Sequence, residues 1–157
     1  MYSSGVFEHA DATMEQASIA KLDRLASMLQ LGPNHHLLEI GTGWGGLAVH
    51  VAERTGCRVT TTTLSREQYE VARERIERAG LQDRVTLLLE DYRELRGRFD
   101  RLVSVEMIEA VGHEYLDTYL QVCSDRLTDD GCMAIQAILI QDSEYERARR
   151  EEDFIKR

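Results

Sequence analysis

Leu37-Leu38-Glu39-Ile40-Gly41-Thr42-Gly43-Trp44-Gly45-Gly46 is the stretch of sequence that decides the fold. The apolar run Leu37–Ile40 predicts a short buried strand, and Leu47–Arg54 has the apolar spacing of a helix that packs one face. Glycines between such a strand and helix are typical of the first turn of a doubly wound sheet, where the backbone approaches a ligand. The stretch therefore predicts a ligand-binding strand–turn–helix unit.

The same alternation of strand and helix continues on both sides of this unit. Thr13-Met14-Glu15-Gln16 has the form of a capping box and predicts a helix that Gly32-Pro33 ends. The other predicted elements are strands at Cys57–Thr63, Val85–Leu89, Phe99–Val105 and Gly131–Ile140 and helices at Ser65–Ala79 and Tyr115–Leu127. Because the strands lack a polar face, we expect right-handed crossovers and a parallel sheet of about five strands covered on both faces, a doubly wound α/β fold.

The length of 157 residues predicts one domain. We divide it into an N-terminal segment with its helix (1–32), a Rossmann-like core (33–141) and a charged C-terminal helix (142–157).

Composition excludes several kinds of partner. A net charge of −9 with interleaved acids and bases argues against a nucleic-acid surface. Cys57, Cys123 and Cys132 have neither disulfide nor metal-ligand spacing, so we expect no metal and a reducing, cytoplasmic environment. The sequence has no apolar run of the roughly 18 residues that a membrane span needs, and its first residues do not resemble a signal peptide.

Two positions around the glycine turn indicate the class of ligand. Glu39, at the end of the first strand, can accept hydrogen bonds from a cationic amino group, which a pyrophosphate-binding turn would not need. A dinucleotide site requires an acid at the end of the second strand, where this sequence has Thr60–Thr63. The residues therefore favour a ligand with an aminoacyl group over NAD. In the alternative interpretation, Glu39 complements the dipole of the next helix.

Three other side chains are candidates for the rest of such a ligand. Gln68 can bind a ribose hydroxyl, although Ser65–Gln68 is also a capping box that closes the helix start. Asp91, just after the third strand, can meet an adenine amino group or can be a turn aspartate. Trp44 can stack near the ligand or pack in the core.

Five motifs in the same order resemble the cyclopropane-fatty-acyl-phospholipid synthase family, which includes the mycolic acid cyclopropane synthases. They are Tyr2-Ser3-Ser4-Gly5, Leu38–Gly46, Thr63–Gln68, Asp91-Tyr92-Arg93 and Val103–Gly112. The resemblance implies a class I methyltransferase fold that binds S-adenosylmethionine (SAM). It also implies a lipid-biosynthesis enzyme that transfers a methyl group to the cis double bond of an unsaturated fatty acyl chain, giving a cyclopropane or methyl-branched lipid.

Site residues follow from these motifs. Together with the candidates above, the cofactor set is Tyr2, Ser3, Glu39, Gly41, Thr42, Gly43, Trp44, Gly45, Thr63, Leu64, Ser65, Gln68, Asp91 and Tyr92. The catalytic set implied by the resemblance is Glu109, where the family binds bicarbonate, with Ser4, Gln136 and Ile138. Methyl transfer to an alkene leaves a carbocation, and the bicarbonate is the base that removes a proton from it. Glu109 can instead be a surface or cap carboxylate.

Two positions depart from the family pattern. Ser4 stands where the family has cysteine, and Gln136 stands where its fifth strand has histidine. Both side chains can hydrogen-bond an anion, but Gln136 cannot titrate near neutral pH as histidine does. Methyl transfer is therefore implied more firmly than ring closure.

The family continues for many residues past the point that corresponds to Arg157, so we expect this chain to be truncated and to show little turnover alone. A homodimer or a complementing C-terminal fragment would supply the missing cover of the acyl chain.

Basic residues of 142–157 can contact anionic lipid at the inner face of the membrane, although the interspersed glutamates favour a solvated helix face. A small-molecule methyltransferase and a non-catalytic SAM-binding remnant are the alternative functions.

Overall fold

A computed structural model describes residues 3–150, and the core of this region is one five-stranded sheet. Its strands are β1 (His36–Ile40), β2 (Arg58–Thr63), β3 (Val85–Leu89), β4 (Phe99–Val105) and β5 (Leu127–Gln136). The strands lie in the order β3-β2-β1-β4-β5, and every neighbouring pair is parallel. The order reverses between β1 and β4, so the switch point of the sheet lies where the glycine turn follows β1. The predicted doubly wound α/β fold is confirmed.

Helices connect the strands and cover both faces of the sheet. They are α1 (Met14–Met28), α2 (Gly46–Thr55), α3 (Arg66–Arg78), α4 (Leu116–Asp125) and α5 (Asp142–Arg150), with short 3-10 turns at Tyr92–Glu94, Ile108–Ala110 and His113–Tyr115. Neighbouring residues of β1 point to opposite faces, as the side-chain period of a strand requires. Leu37 joins one apolar cluster with residues of α1, α2 and α3, and Leu38 joins a second cluster with residues of α4. Within residues 3–150, no helix combines the length and the apolar character needed to cross a membrane.

The predicted capping box of α1 is present. The backbone N–H of Gln16 donates to the Thr13 hydroxyl oxygen at 3.2 Å, and the Gln16 side chain accepts from the Thr13 N–H at 2.8 Å.

We expect Thr13→Ala to lower the free energy of unfolding by about 1 kcal/mol, because it leaves an orphan N–H at the helix start. Urea denaturation measures this loss. Ser124→Ala, at an exposed position of α4, is the control and should change stability by less than about 0.5 kcal/mol; equal effects of the two substitutions would contradict the capping role.

The predicted fifth strand, Gly131–Ile140, is wrong at both ends. β5 already begins at Leu127, which pairs with Phe99, and the segment 128–131 bulges before Cys132 pairs with Arg101. The turn signal Thr128-Asp-Asp-Gly131 thus forms an irregularity inside the strand instead of preceding it. β5 ends at Gln136 because its partner β4 ends at Val105, opposite that residue.

Helix α4 also differs from the sequence prediction, at both of its ends. α4 covers Leu116–Asp125 and not Tyr115–Leu127, because the chain enters β5 at Leu127. The predicted C-terminal helix begins as expected at Asp142 and is described to Arg150, and the rest of that prediction lies outside the described residues.

Candidate functional site

A cavity of about 210 Å3 opens at the carboxyl ends of β1 and β4, beside the switch point of the sheet. Its lining combines the glycine turn with side chains from the N-terminal segment, from α3 and from the residues that follow β4. The lining residues are Ser3, Glu39, Gly41, Thr42, Gly43, Trp44, Gly46, Leu47, Gln68, Val105, Glu106 and Met107. A doubly wound sheet binds its ligand at this place.

The three turn glycines Gly41, Gly43 and Gly45 all have positive φ, at 99°, 51° and 78°. A Cβ atom at Gly45 would lie 2.9 Å from the Cβ of Ala72 on α3, so this glycine lets the turn pack against the helix. A Cβ at Gly43 would meet no atom within 4 Å and would stand in open space. Gly45 therefore serves packing, whereas Gly43 leaves room at the cavity.

Glu39 is a buried carboxyl group in the cavity wall, with 4% of its surface exposed. It accepts a 2.6 Å hydrogen bond from the hydroxyl of Thr61, which also bonds the Thr42 hydroxyl at 2.7 Å. Burial raises the pKa of Glu39 to about 8, and the Thr61 hydrogen bond opposes this shift in part. At neutral pH the group is therefore mostly protonated, and a cation that enters the cavity would favour its ionised form.

Gln68 forms only half of the predicted capping box, and the residue also lines the cavity. Its backbone N–H donates to the Ser65 side chain at 3.2 Å, so Ser65 caps α3. The side chain of Gln68 does not return to Ser65; its oxygen accepts from the Thr63 hydroxyl at 2.8 Å, and the residue lines the cavity. Thr63 thus positions Gln68, whereas Leu64 between them is 70% exposed and is not part of the cavity wall.

Asp91 and Tyr92 lie outside the cavity lining. Asp91 caps the 3-10 turn and accepts from the Arg93 guanidinium at 2.9 and 2.7 Å, and these bonds lower its pKa. This is the geometry of the turn aspartate. Tyr92 packs edge-on against Tyr119, with ring centroids 5.5 Å apart. Trp44, by contrast, is 40% exposed and lines the cavity, which disfavours the core interpretation.

The four predicted catalytic residues do not converge on one point. Ile138 bonds the Glu109 carboxylate, whereas Ser4 and Gln136 both bond the carboxylate of Glu106. Glu109 accepts the backbone N–H of Ile138 through Oε1 at 2.6 Å, and its Oε2 is buried without a hydrogen-bond partner among the described residues. Neither Ser4 nor Gln136 forms a hydrogen bond to Glu109 among the described residues. The Ser4 backbone N–H and the Gln136 side-chain amide both donate to Oε1 of Glu106, at 2.9 and 2.7 Å.

Glu106 and Lys21 are site residues that the sequence analysis missed. The buried Lys21 donates to the Ser3 hydroxyl and interacts electrostatically with Glu106. Burial lowers the pKa of Lys21, and Glu106 opposes this shift. Burial by itself would raise the pKa of Glu106, but hydrogen bonds from Ser4 and Gln136 and the charge of Lys21 outweigh it, so the pKa is lowered.

Both missed residues have a signal in the sequence. Glu106 follows an apolar strand directly, as Glu39 ends one, and Lys21 falls on the apolar side of α1, next to Leu22. Tyr2, predicted to bind the cofactor, lies outside the described residues. Among residues 3–150, no three His, Cys, Asp or Glu side chains are grouped so that they could hold a metal ion.

Comparison with known proteins gives consistent matches. The sequence profile of the mycolic acid cyclopropane synthetase family matches residues 1–157. The chain is 44% identical over 122 residues to a probable fatty acid methyltransferase of Pseudomonas putida, covering 76% of this chain and 31% of that protein. It is 43% identical over 137 residues to the cyclopropane-fatty-acyl-phospholipid synthase of Escherichia coli K12, covering 87% of this chain and 35% of that protein.

A solved structure of a family member also has a similar fold. The mycolic acid cyclopropane synthase CmaA1, complexed with SAH and CTAB, superposes with a TM-score of 0.82 at 30% identity, covering 86% of this chain and 47% of that one. The chain thus spans about a third of the length of these curated relatives and about half of this structure.

Proposed function

The chain belongs to the mycolic acid cyclopropane synthetase family, and on that premise we propose that the protein carrying it transfers a methyl group from SAM to the cis double bond of an unsaturated fatty acyl chain. The observation that carries the proposal is the cavity at the switch point, walled by the glycine turn, Glu39 and Gln68. A family match alone gives no site, and a glycine turn alone would suit several cofactors. Their coincidence in one cavity favours a methyltransferase.

The cavity residues fit SAM. Gly43 lines the cavity beside open space, and Glu39 and Gln68 line it too. Glu39 would accept the cationic amino group of SAM, and the amide of Gln68 would bind its ribose hydroxyls. Trp44 would cover the bound molecule. When bound, SAM supplies an electrophilic methyl group. Asp91 would reach an adenine amino group only after releasing Arg93, so its predicted cofactor role has less support than the others.

Glu39 should make SAM binding dependent on pH. Its pKa of about 8 means that a cationic ligand must displace a proton at neutral pH, so the affinity for SAM should rise between about pH 5.5 and 7.5, by up to tenfold per unit. The SAM amino group keeps its own proton over most of this range. Calorimetry in two buffers of different ionisation enthalpy would measure up to one proton released per SAM bound.

The matched control is Glu39→Gln, which keeps an acceptor for Thr61 but cannot titrate. It should flatten the pH dependence and abolish proton release. The linkage also affects stability without ligand: because the folded pKa is raised above the ordinary value of 4.5, the contribution of Glu39 is present below pH 4.5 and is lost as pH rises through 8. A wild-type affinity that stays constant from pH 5.5 to 7.5 would argue against Glu39 as the ammonium acceptor.

The second group implied by the family resemblance, a bicarbonate ion, fits the described residues poorly. Of its expected ligands, Ser4 and Gln136 already donate to Glu106, and Ile138 already donates to Glu109. A bicarbonate ion would have to compete with these carboxylates for all three donors, and of the expected site it would find only Oε2 of Glu109 without a partner among the described residues. We therefore assign it no step in the reaction.

The lipid substrate, the membrane location and the second chain that would cover the substrate are also proposals. The relatives' names point to acyl lipids, so we propose that the protein meets its substrate at the inner face of the cytoplasmic membrane. A homodimer or a complementing C-terminal segment would cover the acyl chain, since a pocket buries most of such a ligand. Arg147 of α5 pairs with Glu144, which supports the solvated helix face over a lipid contact, and Lys156 and Arg157 lie outside the described residues.

Product analysis tests the function. The whole protein that carries this chain is incubated with SAM labelled in its methyl group and with phospholipid vesicles that carry cis-unsaturated chains, and the acyl chains are analysed by mass spectrometry. We expect labelled acyl chains that are heavier by one CH2. Label in a soluble amine would favour the small-molecule alternative, and SAM binding without any labelled acyl chain would favour the remnant.

A further inference from the structure

We propose that Glu106 is the proton acceptor of the reaction, a carboxylate built into the chain that takes the place of a bound bicarbonate ion. The inference rests on the proposed function. The family resemblance implies that Ser4 and Gln136 contact a bound bicarbonate ion, whereas in the structure both donate to the carboxylate of Glu106.

Two donors from distant parts of the chain converge on this carboxylate. The Ser4 N–H and the Gln136 side-chain amide bind the same oxygen, Oε1, at 2.9 and 2.7 Å. Both residues belong to the set that the family resemblance implies for an anion, and the Gln136 amide is a donor that this sequence has in place of a histidine. The anion that they hold here is the side chain of Glu106.

Glu106 also lies where a proton acceptor is needed. Two acidic side chains line the described part of the cavity, Glu39 and Glu106. Glu39 is buried, bonded to β2, and mostly protonated at neutral pH because burial raises its pKa to about 8. Glu106 stays ionised, because its hydrogen bonds and Lys21 outweigh the effect of burial on its pKa. Glu109 is not part of the lining.

The backbone at Glu106 adopts an unfavourable conformation where β4 ends. Its φ is +46°, in the left-handed region, which costs a non-glycine residue on the order of 1 kcal/mol. Its N–H donates to the Gln136 carbonyl at 2.8 Å, which fixes this conformation at the end of β4. Lys21, which donates to the Ser3 hydroxyl, interacts electrostatically with the carboxylate.

The chemistry balances with Glu106 as the acceptor. The electron pair of the alkene would form a bond to the methyl carbon of SAM while the S–CH3 bond breaks and its electron pair stays on sulfur, which leaves SAH. The other alkene carbon then carries the positive charge. Glu106 takes a proton from that methyl group, and the electron pair of the broken C–H bond forms the second C–C bond of the three-membered ring. Glu106 then releases its proton to solvent. A carbocation is far more acidic than a carboxylic acid, so an ordinary carboxylate is a sufficient base.

Bicarbonate binding to the chain tests this assignment without SAM or lipid, so the result is independent of the proposed function. 13C-labelled bicarbonate is titrated into wild type, Glu106→Gly and the control Glu53→Gln, an exposed residue of α2. We expect no saturable binding to wild type or to the control up to about 50 mM, and millimolar binding to Glu106→Gly. Glycine adopts positive φ without strain, so this variant should keep the backbone, which circular dichroism checks.

Catalysis gives the second readout. We expect wild-type turnover to be independent of added bicarbonate and ring formation to fall at least 100-fold in Glu106→Gln, which cannot accept the proton. In Glu106→Gly, added bicarbonate or formate should restore part of the ring formation. Saturable bicarbonate binding to wild type that Glu109→Gln abolishes would overturn the proposal. So would a folded Glu106→Gly that gains no binding, or full ring formation by Glu106→Gln.

Discussion

Replacing Gly43 by alanine is expected to weaken SAM binding by about 30-fold or more, on the order of 2 kcal/mol, while the chain stays folded. A Cβ at this position meets no protein atom within 4 Å, and Gly43 lines the cavity, so we expect the ligand to lie against it. The methyl group would therefore collide with the ligand and not with the protein. Isothermal titration calorimetry measures the affinity, and urea denaturation measures the stability.

Gly80→Ala is the matched control for this substitution. Gly80 has a φ of +67°, close to the +51° of Gly43, its Cβ would also meet no atom within 4 Å, and it does not line the cavity. Both variants should lose about 1 to 2 kcal/mol of stability from the left-handed backbone, but only Gly43→Ala should lose affinity. Equal SAM affinities in the two variants would contradict the placement of the ligand against the glycine turn.

The second large effect is expected on stability at Gly45. A Cβ there would lie 2.9 Å from the Cβ of Ala72 and 3.0 Å from its Cα, at a φ of +78°. The backbone cost is about 1 to 2 kcal/mol and the forced shift of α3 adds a similar amount, so we expect Gly45→Ala to lower the free energy of unfolding by about 3 kcal/mol. The midpoint of urea denaturation should fall accordingly.

A double-mutant cycle separates these two costs. Ala72→Gly removes the nearest atom, so Gly45→Ala should cost about 1 kcal/mol less in that background than in wild type. Gly80→Ala supplies the backbone cost alone. If Gly45→Ala is no more destabilising than Gly80→Ala, the close packing of the glycine turn on α3 is wrong.

The sheet, the order of its elements along the chain and the cavity beside the glycine turn could be predicted because the signals are local. The capping box at Thr13–Gln16, the strand at Val85–Leu89 and the strand at Phe99–Val105 all appear where periodicity places them. The glycine turn with Glu39 before it marks the switch point, since a doubly wound sheet has its ligand site there.

Strand β5 shows where local signals fail. Thr128-Asp-Asp-Gly131 predicts a turn in isolation, but pairing with β4 draws these residues into the strand as a bulge. The same pairing ends the strand at Gln136, although the apolar residues up to Ile140 suggest that it continues. Tertiary pairing therefore overrides local propensity at both ends.

The partners of the site side chains could not be predicted for the same reason. The family resemblance implied that Ser4, Glu109 and Gln136 share one anion. In the folded chain, the hydrogen bonds of Ser4 and Gln136 end on Glu106, across 102 and 30 residues of sequence. Such a choice between Glu106 and Glu109 depends on how β4, β5 and the N-terminal segment meet, which no motif encodes.

Titration of SAM into the 157-residue chain at pH 7.5 tests the central claim most directly, with circular dichroism to show that the chain is folded. We predict one saturable site per chain that SAH competes for, with the affinity lowered by Gly43→Ala and unchanged by Gly80→Ala. A folded wild-type chain that shows no saturable binding of SAM would contradict the account.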